Sequence, residues 1–141
     1  MTLAELRERF EAQTLPPGTF GHREHVQLAF AYVVDFDVVE ALARYRDGLR
    51  RFAERAGAPQ KYHETITWAY IALIQERVAE MKESRAGASP SWDDFANAHP
   101  DLLRWPNGTL SAYYPDDVLH SDRARRSFVL PTPAVAGESG S

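Results

Sequence analysis

His22-Arg23-Glu24-His25-Val26-Gln27-Leu28-Ala29-Phe30-Ala31-Tyr32-Val33-Val34 opens on charged and imidazole side chains and then, Gln27 apart, turns apolar on every face. A helix that is apolar all round belongs at the centre of a protein, because no side of it gains from facing water. A second stretch is built the same way: Tyr62-His63-Glu64-Thr65-Ile66-Thr67-Trp68-Ala69-Tyr70, continuing as Ile71-Ala72-Leu73-Ile74. Three of the five histidines stand at these two starts. Two central helices bury themselves best against each other, which predicts that His22, His25 and His63 share one end of a helical bundle.

Working outward, Thr2 with Glu5 reads as a reciprocal cap, followed by Leu3, Leu6 and Phe10 at helical spacing, for a helix to about Gln13. Pro16-Pro17-Gly18 then forms a stiff connector. The first quoted stretch predicts a helix from His22 to about Asp35. Asp37 with Glu40 reads as a second reciprocal cap, opening a helix to about Ala56 whose apolar stripe is Val38, Ala41, Leu42, Tyr45, Leu49, Phe52 and Ala56. Gly48 is a weak point in that helix, costing up to about 1 kcal/mol relative to Ala. Gly57 and Pro59 stop it. The fourth helix is expected from Tyr62 to about Glu83. Ser91 with Asp94 caps a short helix ended by Pro100. Trp105-Pro106-Asn107-Gly108 is a turn, Thr109 to Tyr114 and Ser121 to Arg125 are short helical pieces, and Phe128-Val129-Leu130 returns to the core.

No stretch alternates polar and apolar residues long enough to make a sheet. The fold class is therefore all-α: four longer helices in a bundle, with short C-terminal helices forming a cap. Residues 1–130 form a single helical domain, and 131–141 have the small, polar makeup of a disordered tail.

The composition, 44% hydrophobic and 26% charged over 141 residues, is that of a globular domain with a core of its own. The absence of cysteine excludes disulfides, thiolate metal sites and cysteine nucleophiles. A net charge of −4 without a concentrated basic face argues against nucleic acid as a partner. No window has the ~20 apolar residues of a membrane span, and the charged start is no secretory signal, so the expected setting is the cytoplasm.

His22 and His25 are three apart and share a helix face, and His63 opens another helix. Near helix N-termini the dipole favours neutral imidazole, the form that ligates metals. Together they offer three nitrogens for a divalent transition metal such as zinc, iron or nickel. Glu24 and Glu64 each follow or precede a histidine and point about 100° away, so no fourth ligand is evident. The same side chains also fit a metal-free pocket, with His63, Tyr62 and Thr67 as candidate catalytic groups. They fit equally a purely structural role, each ring bonded to backbone. Thr67, on the face of His63, is expected to back-bond to its own helix or meet a ligand. Tyr32 and Tyr70, each seven residues beyond a histidine, are candidates to line the same cavity, together with Tyr62, Tyr114, Asp122 and Arg125.

The arginines at 44, 51 and 55, with Arg46 and Arg50 beside them, read as a solvated face, since Glu40 and Asp47 stand four residues before Arg44 and Arg51. Arg125 is the arginine expected to be partly buried against a carboxylate. Gly-rich phosphate loops, dinucleotide fingerprints, nucleophile elbows and EF-hand loops are absent from the sequence.

Taken together, Phe20-x-His22-x-x-His25-Val26, Tyr62-His63-Glu64-Thr65-x-Thr67-x-Ala69, Asp101-Leu102-Leu103 with Tyr113-Tyr114, and Ser121-Asp122-x-Ala124-Arg125-x-x-Phe128-Val129-Leu130-Pro131 resemble a family of small, uncharacterised, all-helical bacterial proteins. The resemblance spans Phe20 to Pro131 and implies a stand-alone helical domain with these motifs as hallmarks. It brings no activity with it, and Pro131-Thr132 stands where Pro-Asp is expected.

The functional expectation is a small-molecule or metal-binding helical protein, with its site at the His22/His25/His63 end. The alternative is a non-catalytic protein-interaction module with structural histidines. The segment from Asp101 to Pro131 is expected either to close over the histidine end, with Asp122 orienting a histidine ring, or to pack along the bundle's flank.

Overall fold

The computed structural model describes residues 1–105 and 108–132. Pro106 and Asn107 of the expected turn, and the expected tail from 133 onward, lie outside the described residues. Among the described residues all regular structure is helical: α1 (Leu3–Glu11), α2 (His22–Asp35), α3 (Val38–Arg55), α4 (Glu64–Glu83), α5 (Trp92–Ala98), α6 (Asp116–Leu119) and α7 (Asp122–Arg126). Single 3₁₀ turns occupy Pro17–Thr19, Pro59–Lys61, Pro100–Leu103 and Leu110–Ala112, all but the last opened by proline.

The four longer helices pack as an all-α bundle with α2 at its centre, touching α1, α3 and α4. Its Val26, Leu28, Ala29, Phe30, Ala31 and Tyr32 are buried, as are Ala69, Tyr70, Ile71, Leu73, Ile74 and Val78 of α4. Each large side chain among them contributes about 1.5–3 kcal/mol on leaving water. α1 reaches α3 at one point of close approach. Phe10, fully buried, lies so near Gly48 that an added Cβ there would sit 2.1 Å from its ring. The glycine is the notch that admits the phenylalanine.

The caps account for most of the boundaries. Thr2 and Glu5 bond reciprocally, at 3.1 and 2.8 Å. Ser91 and Ser121 each accept an N–H at 3.1 Å. Three expectations need correction. α1 stops at Glu11, and Gln13 turns left-handed (φ 58°), its side chain donating to the carbonyls of Phe10 and Gly48. Asp37 caps α3, but Glu40 does not complete the box, because its carboxylate is held by Arg44. α4 begins at Glu64 rather than Tyr62, because the His63 ring is itself the cap: its Nδ1 accepts from the Ile66 N–H at 3.1 Å.

The C-terminal third lies across the starts of α2 and α4. Phe95 of α5 packs on Phe30, and α7 packs on α4. Phe128 stacks on Trp68 at 4.6 Å and Tyr114 donates to the Val129 carbonyl at 2.8 Å. Leu130, expected in the core, is 74% exposed, because the chain has by then left the bundle.

Candidate functional site

The structure gives the three histidine rings three different sets of partners. His22 Nε2 donates to the Leu102 carbonyl at 2.8 Å, and its ring meets Tyr70 edge-on at 5.4 Å. His25 Nδ1 donates to the Gly21 carbonyl at 2.8 Å while its ring stacks on Phe20 at 4.0 Å. His63 Nε2 donates to the Leu119 carbonyl at 2.7 Å, so with Nδ1 serving as the helix cap both of its nitrogens are engaged. Among the described residues no three His, Asp or Glu side chains form a group that could hold a metal ion. All three rings have pKa values below the ordinary 6.5, and burial is the main cause in each. For His63 the Leu119 bond works the other way, and the charge of Arg125 reinforces the lowering.

The segment beyond Asp101 does reach the histidines, but through backbone. Leu102 and Leu119 offer the carbonyls, whereas Asp122, expected to orient a ring, instead accepts from Arg125 at 3.0 Å. Of the other expected ligand-binding side chains, several are occupied elsewhere. Tyr32 donates to Glu11 at 2.8 Å on the α1 side. Thr67 back-bonds to the His63 carbonyl at 2.8 Å. Tyr114 ties down Val129. Tyr70 is buried with its hydroxyl unpartnered among the described residues, and burial, with Asp101 nearby, pushes its pKa up to about 12. Asp101 itself is held at about 2 by the bond from Arg77 at 2.8 Å.

Tyr62, Asp122 and Arg125 come together, and they do so in a cavity of about 430 Å³. Arg46, Arg50 and Glu54 line it from α3. Pro59, Gln60, Tyr62 and Glu64 line it from the connector and the start of α4, and Asp122, Arg125 and Arg126 from α7. Four guanidinium groups thus face three carboxylates in a chain whose net charge is −4.

Glu64 is the buried centre of this wall. Arg46 Nε bonds both of its oxygens, at 2.9 and 3.0 Å, and the Tyr62 hydroxyl donates to Oε1 at 2.6 Å. Burial alone would raise the pKa of Glu64, but the Arg46 and Tyr62 bonds, the Arg46 charge and the nearby Trp68 indole N–H together outweigh it, and the carboxyl lies below its ordinary 4.5. Tyr62 moves up, through burial and then through the same bond to Glu64. The Arg50 guanidinium lies 6.0 Å over the Tyr62 ring, and neither Arg50 nor Arg126 forms an ion pair among the described residues.

The sequence reading placed Arg46 and Arg50 on a solvated face and set Glu64 aside. Arg44 and Arg51 do pair with Glu40 and Asp47 as expected. Arg46 does not belong with them, and the sequence carries a signal of it. At three and four residues to either side of Arg46 stand Ala43, Leu42, Leu49 and Arg50, none of them acidic. An arginine without a local carboxylate looks for one across the fold, and Glu64 answers it. Compared with protein-family profiles, curated proteins and solved structures, the chain shows no significant match.

Proposed function

We propose that this protein binds a small anionic molecule in the cavity between α3, the Pro59–Glu64 segment and α7. The observation that carries the reading is the pair of arginines, Arg50 and Arg126, that line a concave site and form no ion pair among the described residues. Arg44 and Arg51 pair with acidic neighbours at helical spacing, whereas Arg50 and Arg126 form no ion pair among the described residues. Beside the half-buried Arg46–Glu64 pair, these two guanidinium groups offer planar donors suited to a carboxylate or phosphate.

The role is binding. His63 and Thr67, the side chains nearest to catalytic types, spend their polar atoms on backbone, and the Tyr62 hydroxyl is given to Glu64. What remains available at the cavity is charge and hydrogen-bonding capacity.

The test is thermal unfolding of the full chain against a panel of millimolar anions, matched neutral compounds and cations. Ligands that bind only the folded state raise Tm by mass action. Carboxylates or phosphates should raise Tm, the neutral and cationic members should not, and Arg50→Ala with Arg126→Ala should remove the effect. Equal shifts in parent and double variant would place the binding elsewhere and refute the assignment.

A further inference from the structure

Resting on the anion-binding reading, we infer that the site is regulated by pH through His63. The neutral ring latches α7, and with it the Asp122, Arg125 and Arg126 wall of the cavity, onto α4; protonation of the ring opens the latch. Of the five histidines, His63 is the one with both nitrogens bound to backbone, and backbone fixes the role of each. The Ile66 N–H can only donate, so Nδ1 accepts from it at 3.1 Å. The Leu119 carbonyl can only accept, so Nε2 carries the proton and donates at 2.7 Å. Only the neutral Nε2–H tautomer meets both demands. A second proton enters at Nδ1 and sets two donors against each other at the start of α4. His22, His25 and His120 each make one bond, to a carbonyl, and keep it as donors when charged. His99 accepts only a long 3.5 Å contact from Arg77.

Helix cap and latch are the same ring, so the conflict reaches α7 whichever side gives. If the ring swings away from Ile66, it leaves the Leu119 carbonyl, three residues before α7 begins. If the first turn of α4 opens instead, Thr65 moves with it, and its hydroxyl holds Ser127 and Val129 just beyond α7. Charge acts in the same sense. Arg125 of α7, itself paired with Asp122, and His120 at the end of α6 face the ring, and an imidazolium repels the guanidinium. Glu64, the next residue, is taken up by Arg46 of α3 and by Tyr62. Burial first, then Arg125 and His120, outweigh the Leu119 bond and keep the folded ring below its ordinary 6.5. The latch is therefore closed at neutral pH and opens on acidification.

The experiment is an NMR titration of the ¹⁵N-labelled full chain between pH 7 and pH 5, with sulfate as the anion probe because it stays dianionic throughout. Long-range ring spectra should show His63 as the Nε2–H tautomer at pH 7. The amides of Ile66, Arg125 and Val129 should move with the midpoint of that ring. Sulfate affinity should fall about tenfold through the same midpoint, within the range set by loss of a helix cap. A plain charge effect runs the other way, since protonation adds positive charge and tightens anion binding. His63→Asn supplies a cap that does not titrate, and should make α7 and sulfate affinity insensitive to pH while retaining His22, His25, His99 and His120. The parent titration decides the matter even where His63→Asn fails to fold. Sulfate affinity that stays flat or rises as the ring titrates, or a loss that persists in His63→Asn, would overturn the latch while leaving anion binding in place. Sulfate that moves no lining signal at any pH would overturn anion binding itself, and the regulation with it.

Discussion

Thr65→Val should release the C-terminal strap that carries α7. Thr65 is fully buried at the start of α4, and its hydroxyl makes two bonds to the strap. It donates to the Ser127 carbonyl at 2.9 Å and accepts from the Val129 N–H at 3.1 Å. Valine has the same shape and neither bond. Each bond contributes about 1 kcal/mol net, and an unmet buried partner costs about 1–3 kcal/mol more if it stays dry. Ser127 is exposed and Val129 half-buried, so water can rescue part of the loss. The expected cost is about 2 kcal/mol, near the sum of the two net bonds, or roughly 5–10 °C in Tm for a domain of this size. Thr65→Ser keeps both bonds and should cost about 1 kcal/mol or less, the value of one buried methyl. Hydrogen exchange at the Val129 amide is the sharper assay. If the strap opens locally, its protection should fall roughly 30-fold in Thr65→Val, the equivalent of 2 kcal/mol, and stay near parent in Thr65→Ser. Unchanged protection in Thr65→Val would mean that Trp68–Phe128 stacking and the Tyr114–Val129 bond hold the strap alone, and the reasoning would fail.

Two further predictions concern the bundle. Gly48→Ala should lower stability by about 1–2 kcal/mol in urea unfolding: helix propensity gains up to about 1 kcal/mol, but crowding the buried Phe10 ring costs more; a higher midpoint for the variant would show that Phe10 moves aside freely. Stability should also fall as pH drops from 7 to 5. His22, His25, His63 and His99 all titrate below the ordinary 6.5 when folded, mainly through burial, so the unfolded chain binds protons first; their contribution is complete above 6.5 and is lost as pH falls through the folded values. Asp101, held near 2 against an ordinary 3.8, adds a separate loss only below about 4, so a profile flat from pH 7 to 5 with a single acid transition would contradict the histidine account.

The bundle was legible because its signals are local. Apolar periodicity and capping side chains act within one or two turns, and they place α2 at His22–Asp35 and α3 and α4 to within two residues. The errors at α1 and α4 come from side chains used in an unexpected way: Gln13 reaching to Gly48, and a histidine acting as cap. The cavity was only half legible. Asp122, Arg125 and Tyr62 were singled out for their chemistry, but Arg46 and Glu64 are eighteen positions apart on different helices, and their bond is a product of how α3 and α4 pack. The partners of the histidines were illegible for a related reason. An imidazole at a helix start looks the same in sequence whether it awaits a metal or a carbonyl, and the Leu102 and Leu119 carbonyls that engage His22 and His63 lie 80 and 56 residues further along the chain.

The two most distinctive motifs, Tyr62 to Ala69 and Ser121 to Pro131, turn out to be two halves of one joint. Thr65 bonds Ser127 and Val129, Trp68 stacks on Phe128, and His63 bonds the Leu119 carbonyl two residues before the second motif. These contacts fasten the C-terminal strap to α4. The joint in turn holds Asp122, Arg125 and Arg126 across from Arg46 and Arg50, and without it α7 would have little to fix it, being only five residues long. A cavity whose two walls come from distant parts of the chain needs such a fastening, because each guanidinium must be held against the repulsion of the others. The polar groups of the motifs are therefore spent on holding the two walls of the cavity in place, and in the proposed reading the binding is left to the arginines.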